Sequence, residues 1–164
     1  MNKIDEKIIA NIRVVTQEMI TGAKSGHPGI ALGAAPIMHA LYSRVLKITP
    51  KNSKWYNRDR FVLAAGHGSS LLYTMLHLYG YKVSVEDLKS FRKINSLTPG
   101  HPEYGHTDGV DATSGPLGQG IPMAVGMALS ELFLEAKYNK EDITLFNNYT
   151  YVLCGDGDLQ EGVT

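Results

Sequence analysis

Apolar residues at Ile4, Ile8, Ile12, Val15 and Met19 recur every three or four positions, which predicts an opening amphipathic helix that fades near Gly22. A glycine-proline loop follows, Ser25-Gly26-His27-Pro28-Gly29. The helical pattern returns from Ala34 to Leu46 and is stopped by Thr49-Pro50-Lys51-Asn52. The unbroken run Arg60-Phe61-Val62-Leu63-Ala64-Ala65 predicts a buried strand, closed by the turn Gly66-His67-Gly68. Ser69 to Tyr79 then forms a short apolar helix with Ser69 or Ser70 as its N-cap.

Ser84-Val85-Glu86-Asp87 has capping-box spacing and predicts a helix carrying Leu88 and Phe91. An irregular stretch runs from about Asn95 to Gly120, rich in glycine and proline. So long a segment without regular structure inside a compact domain is usually functional. Ile121 to Tyr138 predicts an amphipathic helix, and Tyr149 to Leu153 a β-favouring run that breaks into Gly155-Asp156-Gly157. Strand–turn–helix units alternating with helices predict an α/β sheet, and the chain shows no repeat, low-complexity tract or internal boundary.

At 164 residues the chain is expected to form one domain. Sixteen basic and sixteen acidic residues cancel, so no charged field points to nucleic acid or an anionic membrane. No apolar run is long enough to cross a membrane, and the N-terminus lacks the apolar core of a signal peptide. The single Cys154 excludes an intramolecular disulfide framework and reads as a small core residue, compatible with a reducing cytoplasm.

The chemistry gathers at the interruptions. His39 and His77 lie inside apolar helical runs and read as packed or surface residues, whereas His27, His67, His101 and His106 each follow a glycine. Three of these share one setting: Gly26-His27-Pro28, Gly66-His67-Gly68 and Gly100-His101-Pro102. Glycine permits a tight backbone path and proline stiffens it, so such imidazoles are held in place to donate hydrogen bonds or relay protons. A zinc site is the competing reading, but no His-x-x-x-His or Cys-x-x-Cys spacing supports it.

Two further loops suit an anion and a cation. Ser114-Gly115-Pro116-Leu117-Gly118-Gln119-Gly120 feeds a helix N-terminus, where backbone N–H groups meet a phosphate, although it is neither a dinucleotide fingerprint nor a P-loop. Asp156, between two glycines at a strand end, is a hard oxygen ligand for Mg²⁺ or Ca²⁺.

In this order the segments 25–29, Asn57-Arg58-Asp59-Arg60-Phe61-Val62-Leu63, Gly66-His67-Gly68, Thr98-Pro99-Gly100-His101-Pro102-Glu103, 115–120 and 155–162 resemble the amino-terminal part of the transketolase family. The resemblance covers nearly the whole chain. It implies a doubly wound, mostly parallel sheet flanked by helices that binds thiamine diphosphate through a divalent cation, Mg²⁺ or Ca²⁺. By resemblance Asp156 binds the metal and Gly157 lies beside the diphosphate. His67 and the backbone of Gly115, Pro116 and Leu117 contact the cofactor, while His27 and His101 face the sugar and assist proton transfer. Glu161 is similar to the acid that joins two active sites across the family's dimer, and Arg92 stands where the family has a basic residue near the substrate channel. Asp158, one place beyond the glycine facing the cofactor, is given a smaller part.

The implied reaction moves a two-carbon ketol unit from a ketose phosphate to an aldose phosphate. The family's Gly-Asp-Gly motif is completed downstream by an asparagine beyond Thr164, so residues 1–164 are expected to be an incomplete amino-terminal diphosphate-binding domain, inactive alone. Related dihydroxyacetone or deoxyxylulose phosphate synthases remain open. So does a non-catalytic binding or assembly subunit that keeps the loops.

Overall fold

The computed structural model describes residues 2–164. Helix α1 (Lys3–Ala23) starts at a capping box in which the Asn2 side chain accepts from the Ile4 and Asp5 N–H groups while Asp5 accepts from Asn2. Its buried stripe runs Asp5, Ile9, Ile12, Thr16, Met19 and Ile20, so Ile4, expected in the core, is exposed. Two polar residues turn inward because each finds partners. Asp5 receives Nε2 of His39 at 2.9 Å and the Arg44 guanidinium at 2.7 Å, and these bonds hold its carboxyl well below the usual carboxylate range. Thr16 returns its hydroxyl to the Ile12 carbonyl at 2.6 Å.

The expected helix over 34–46 is two helices. Pro28 opens the short α2 (Pro28–Gly33), so part of the glycine-proline loop is helical, and Pro36 sits in the first turn of α3 (Ala35–Arg44). Strand β1 (Arg60–Leu63) leads through a single 3₁₀ turn, Gly66–Gly68, into α4 (Ser69–Leu78). Neither serine caps α4: Gly68 does, and the Ser69 hydroxyl donates instead to the Gly100 carbonyl at 2.7 Å. Residues 69–76 are buried throughout, which accounts for their nearly unbroken apolar sequence. The capping box at Ser84 is formed, but α5 (Val85–Lys89) stops short of Phe91. The long irregular stretch remains irregular up to α6 (Gly120–Tyr138), and β2 (Thr150–Leu153) follows.

The two strands pair in parallel, from Arg60 opposite Thr150 to Leu63 opposite Leu153. Side chains alternate across this sheet. Phe61 and Leu63, with Tyr151 and Leu153, join the main core that also contains Ile12, Met38, Leu71 and Met75. Val62 points the other way, onto Ala112, Ala124, Met123 and Met127. Helices therefore cover both faces, the arrangement expected of a doubly wound sheet.

The Asn57-Arg58-Asp59-Arg60 motif secures the amino-terminal edge of the sheet. Asp59 accepts from the backbone of Lys47 at 2.7 Å and Tyr149 at 2.8 Å, and Asp111 accepts from Phe61 N–H at 2.9 Å and Arg58 at 2.6 Å. Two other expectations change. Cys154 is a half-buried free thiol, not a core residue. In α6 only Gly120 and Ala124 are buried, while Val125, Leu129, Leu132 and Phe133 are exposed, so its outward face is apolar, not polar.

Candidate active site

Because β1 and β2 are parallel and in register, both strands leave the sheet at the same edge, one into Gly66-His67-Gly68 and the other into Gly155-Asp156-Gly157. This carboxyl edge is where open α/β sheets bind ligands. The turn after β1 is pressed against the glycine-rich loop. A Cβ on Gly66 would stand 2.7 Å from the Ser114 carbonyl carbon, and the Ser114 hydroxyl donates to the Leu63 carbonyl at 2.6 Å.

The glycine-rich loop is joined to the second turn by Asp158. One carboxylate oxygen accepts from Gly118 N–H at 3.0 Å and the other from Gly155 N–H at 2.8 Å, and the side chain is wholly buried. Gly118 has a φ of +81°, a left-handed backbone in which a side chain would also meet Glu161. Pro116 and Leu117 are exposed on this edge, and Leu117 approaches Gly157. Asp156 and Glu161 are exposed, and Gly157 is half-buried. By sequence Asp158 has a smaller part than Asp156, and the structure makes it the joint between the two loops. Its signal was an acid three positions after the N–H it accepts from, the reciprocal spacing of a capping box.

The imidazoles stand beside these loops. His27 is the N-cap residue of α2, and its ring meets that of His67 edge-on, with centroids 5.2 Å apart. His101 packs on Gly115, where a Cβ would come within 3.3 Å of its ring, and its carbonyl accepts from the buried Tyr73 hydroxyl at 3.2 Å. An open cleft of about 590 Å³ runs along His101, Glu103, Ser114, Gly115 and Pro116. His106, His39 and His77 lie apart, with ring nitrogens bonded to the Ser96 carbonyl, Asp5 and the Val83 carbonyl respectively. A larger cleft of about 870 Å³, near Trp55, Arg60 and Met123, contains none of the candidate residues. Its Arg58 is committed to Asp111 and the Ser53 carbonyl.

Burial pushes the His67 imidazole below its ordinary value, helped by His27 and opposed by Asp158. Burial likewise lowers His101, followed by the charges of Arg92, His27 and His67. Both rings are therefore neutral at physiological pH and able to accept a proton. A lowered imidazole pKa means that the unfolded chain binds more protons just below pH 6.5. Stability is present above that value and falls as pH drops through the folded-state midpoints. Histidine titration by NMR is expected to place both midpoints below 6.5, with thermal stability declining over the same window. Midpoints above 6.5 would contradict this account of the cluster.

Among the described residues no three His, Cys, Asp or Glu side chains converge to hold a metal ion. Asp156 offers one carboxylate at the mouth of the loops. That donor set suits Mg²⁺, which commonly takes one or two carboxylates together with phosphate oxygens.

A parallel α/β sheet whose carboxyl edge gathers a glycine-rich loop, an exposed carboxylate and three imidazoles has the layout in which such sheets bind a phosphorylated ligand. Residues 4–164 match the family described as the transketolase thiamine diphosphate binding domain, and the chain belongs to that family. The transketolase of Geobacillus stearothermophilus is 58% identical over 162 residues, covering 99% of this chain and 24% of the relative. That of Bacillus subtilis is 56% identical over 164 residues, covering 100% of this chain and 25% of the relative. The transketolase of Pichia stipitis, solved in complex with sedoheptulose 7-phosphate, superposes with a TM-score of 0.96 at 50% identity, covering 98% of this chain and 24% of that one. The Campylobacter jejuni transketolase gives 0.91 at 48% identity, covering 99% and 25% respectively. The chain thus spans about a quarter of the length of the relatives it matches.

Among the described residues no helix is long and apolar enough to cross a membrane.

Proposed function

We propose that residues 1–164 are the amino-terminal diphosphate-binding domain of a transketolase-type transferase and supply the diphosphate and cation side of its active site. The reaction is transfer of a two-carbon ketol group between ketose and aldose phosphates, as in pentose phosphate metabolism. The observation that supports this best is the meeting of the Gly118 and Gly155 backbones on the buried Asp158, which sets the anion loop beside the exposed Asp156.

In this reading Asp156 binds Mg²⁺ or Ca²⁺. Gly157, the backbone of Gly115, Pro116 and Leu117, and the half-buried His67 bind thiamine diphosphate. Glu161 lies next to the anion loop at Gly118 and serves as the contact to a second protomer in a homodimer. When bound, the cofactor supplies the electron sink for carbon–carbon cleavage. The chain's own share is positioning and proton handling: His27 and His101, held at the loop edge, take up or return a proton on a ring nitrogen at substrate hydroxyls. The single free thiol fits work in the cytoplasm.

The test replaces the matching first quarter of the Geobacillus stearothermophilus enzyme with this chain and follows ketol transfer in a coupled pentose phosphate assay with thiamine diphosphate and Mg²⁺. Turnover within roughly 10-fold of the parent is expected, a cost of about 1.4 kcal/mol in the barrier. A folded chimera without turnover would favour a binding or assembly role. The 164-residue chain alone is expected to give none, since it spans only a quarter of its relatives. Turnover by the chain alone that survives repurification would refute that expectation.

A further inference from the structure

Arg92 occupies an unusual position between two of the histidine loops. Its φ of +61° lies in the left-handed region, rare for a residue with a long side chain. The backbone is held there by its N–H, which donates to the Thr98 carbonyl at 3.0 Å. The guanidinium rests on the ring of the buried Phe91, 5.5 Å from its centroid. One terminal nitrogen donates to the Ser25 hydroxyl at 2.8 Å, and the other approaches the Gly100 carbonyl at 3.5 Å. Ser25 lies two residues before His27, and Gly100 immediately precedes His101. The absence of a side chain at Gly100 admits this contact, since a Cβ there would stand 3.3 Å from the guanidinium carbon.

We propose that Arg92 is a positioning residue whose guanidinium braces the Ser25–His27 loop against the Gly100–His101 loop and so fixes the spacing of the two imidazoles. The proposal rests on the reading of His27 and His101 as the proton-handling pair. A basic residue that only attracts an anionic substrate would need a point charge, which lysine supplies. A brace needs the planar fork, because its two ends meet acceptors on different loops. It also needs Ser25, a residue with no charge to contribute.

Two measurements test it. In the 164-residue chain, amide hydrogen exchange is expected to quicken at residues 25–29 and 98–102 together in Arg92→Ala, with most of that change remaining in Arg92→Lys. In the chimeric enzyme, Arg92→Ala is expected to lower kcat by roughly 10- to 100-fold with little change in KM, as slight misplacement of reacting groups does. Ser25→Ala should lose a smaller factor that vanishes when combined with Arg92→Ala, because both remove the same link. Wild-type kcat in Arg92→Lys, unaltered exchange in both loops, or independent losses from Ser25 and Arg92 would each overturn the brace. Should the unmutated chimera show no ketol transfer, the transketolase reading fails while exchange in the chain still decides the brace. Ser25→Ala, a small surface change, serves if Arg92→Ala does not fold.

Discussion

Asp156→Ala and Asp158→Ala, two residues apart, are expected to fail in different ways. Asp156 is exposed at the loop edge, so alanine there should leave the fold intact. On the proposed reading, its loss removes the carboxylate that would bind the cation. Cofactor titration in the chimera should then lose its dependence on Mg²⁺, with affinity falling by roughly 100-fold or more, equivalent to about 2.7 kcal/mol. Asp158 presents the opposite case. Its carboxylate is wholly buried and both oxygens are used, so alanine strands the Gly118 and Gly155 N–H groups. Each buried donor left without a partner costs about 1–3 kcal/mol. The variant should therefore lose thermal stability and let the two loops separate, weakening cofactor binding through the fold. Asp158→Asn, which keeps one acceptor, should lie between. A normal melting curve for Asp158→Ala would refute the clamp, and unchanged Mg²⁺ dependence in Asp156→Ala would refute the metal assignment.

Chain position alone made Asp158 look secondary, because it lies one residue beyond the glycine expected to face a ligand. Hydrogen-bond accounting reverses that ranking: the two glycines are 37 residues apart in sequence, yet one carboxylate satisfies both. Contacts of such separation leave little trace in a single sequence. The elements that could be read were those with local causes. The apolar runs at β1, α4 and α6, and the capping box at Ser84, lie within a few residues of the observed elements.

The failures also had physical causes. Period alone placed Ile4 in the core and could not foresee that Asp5 would be buried by His39 and Arg44, more than thirty residues distant. In α6 the mismatch has another origin. Its sequence is apolar around most of the circumference, so one sheet face cannot cover it, and Val125, Leu129, Leu132 and Phe133 remain outside. The loop histidines were legible because glycine and proline mark their settings. Which of them meet was not: His27 and His67 touch, whereas His106 turns to the Ser96 carbonyl.

The three site histidines should separate by the step each affects. His67 lies in the turn that β1 delivers to the sheet edge and is the half-buried member of the pair with His27. A group that binds the diphosphate is already engaged in the ground state, so His67→Ala should raise the cofactor's dissociation constant. His27 and His101 are exposed at the margin of the site. Proton transfer matters chiefly as charge develops on substrate oxygen, so their removal should spare cofactor binding. The expected loss for each is in kcat/KM for the ketose, by roughly 10²-fold, the ordinary yield of general acid–base catalysis. Because His27 touches His67, His27→Gln is the better probe beside His27→Ala: it keeps hydrogen bonding and most of the volume but cannot relay a proton. If glutamine restores kcat/KM, His27 acts by packing or hydrogen bonding. If both His27 variants and His101→Ala keep wild-type kcat/KM, the proton-handling assignment fails, and with it the reason for a guanidinium to hold the two loops at one spacing.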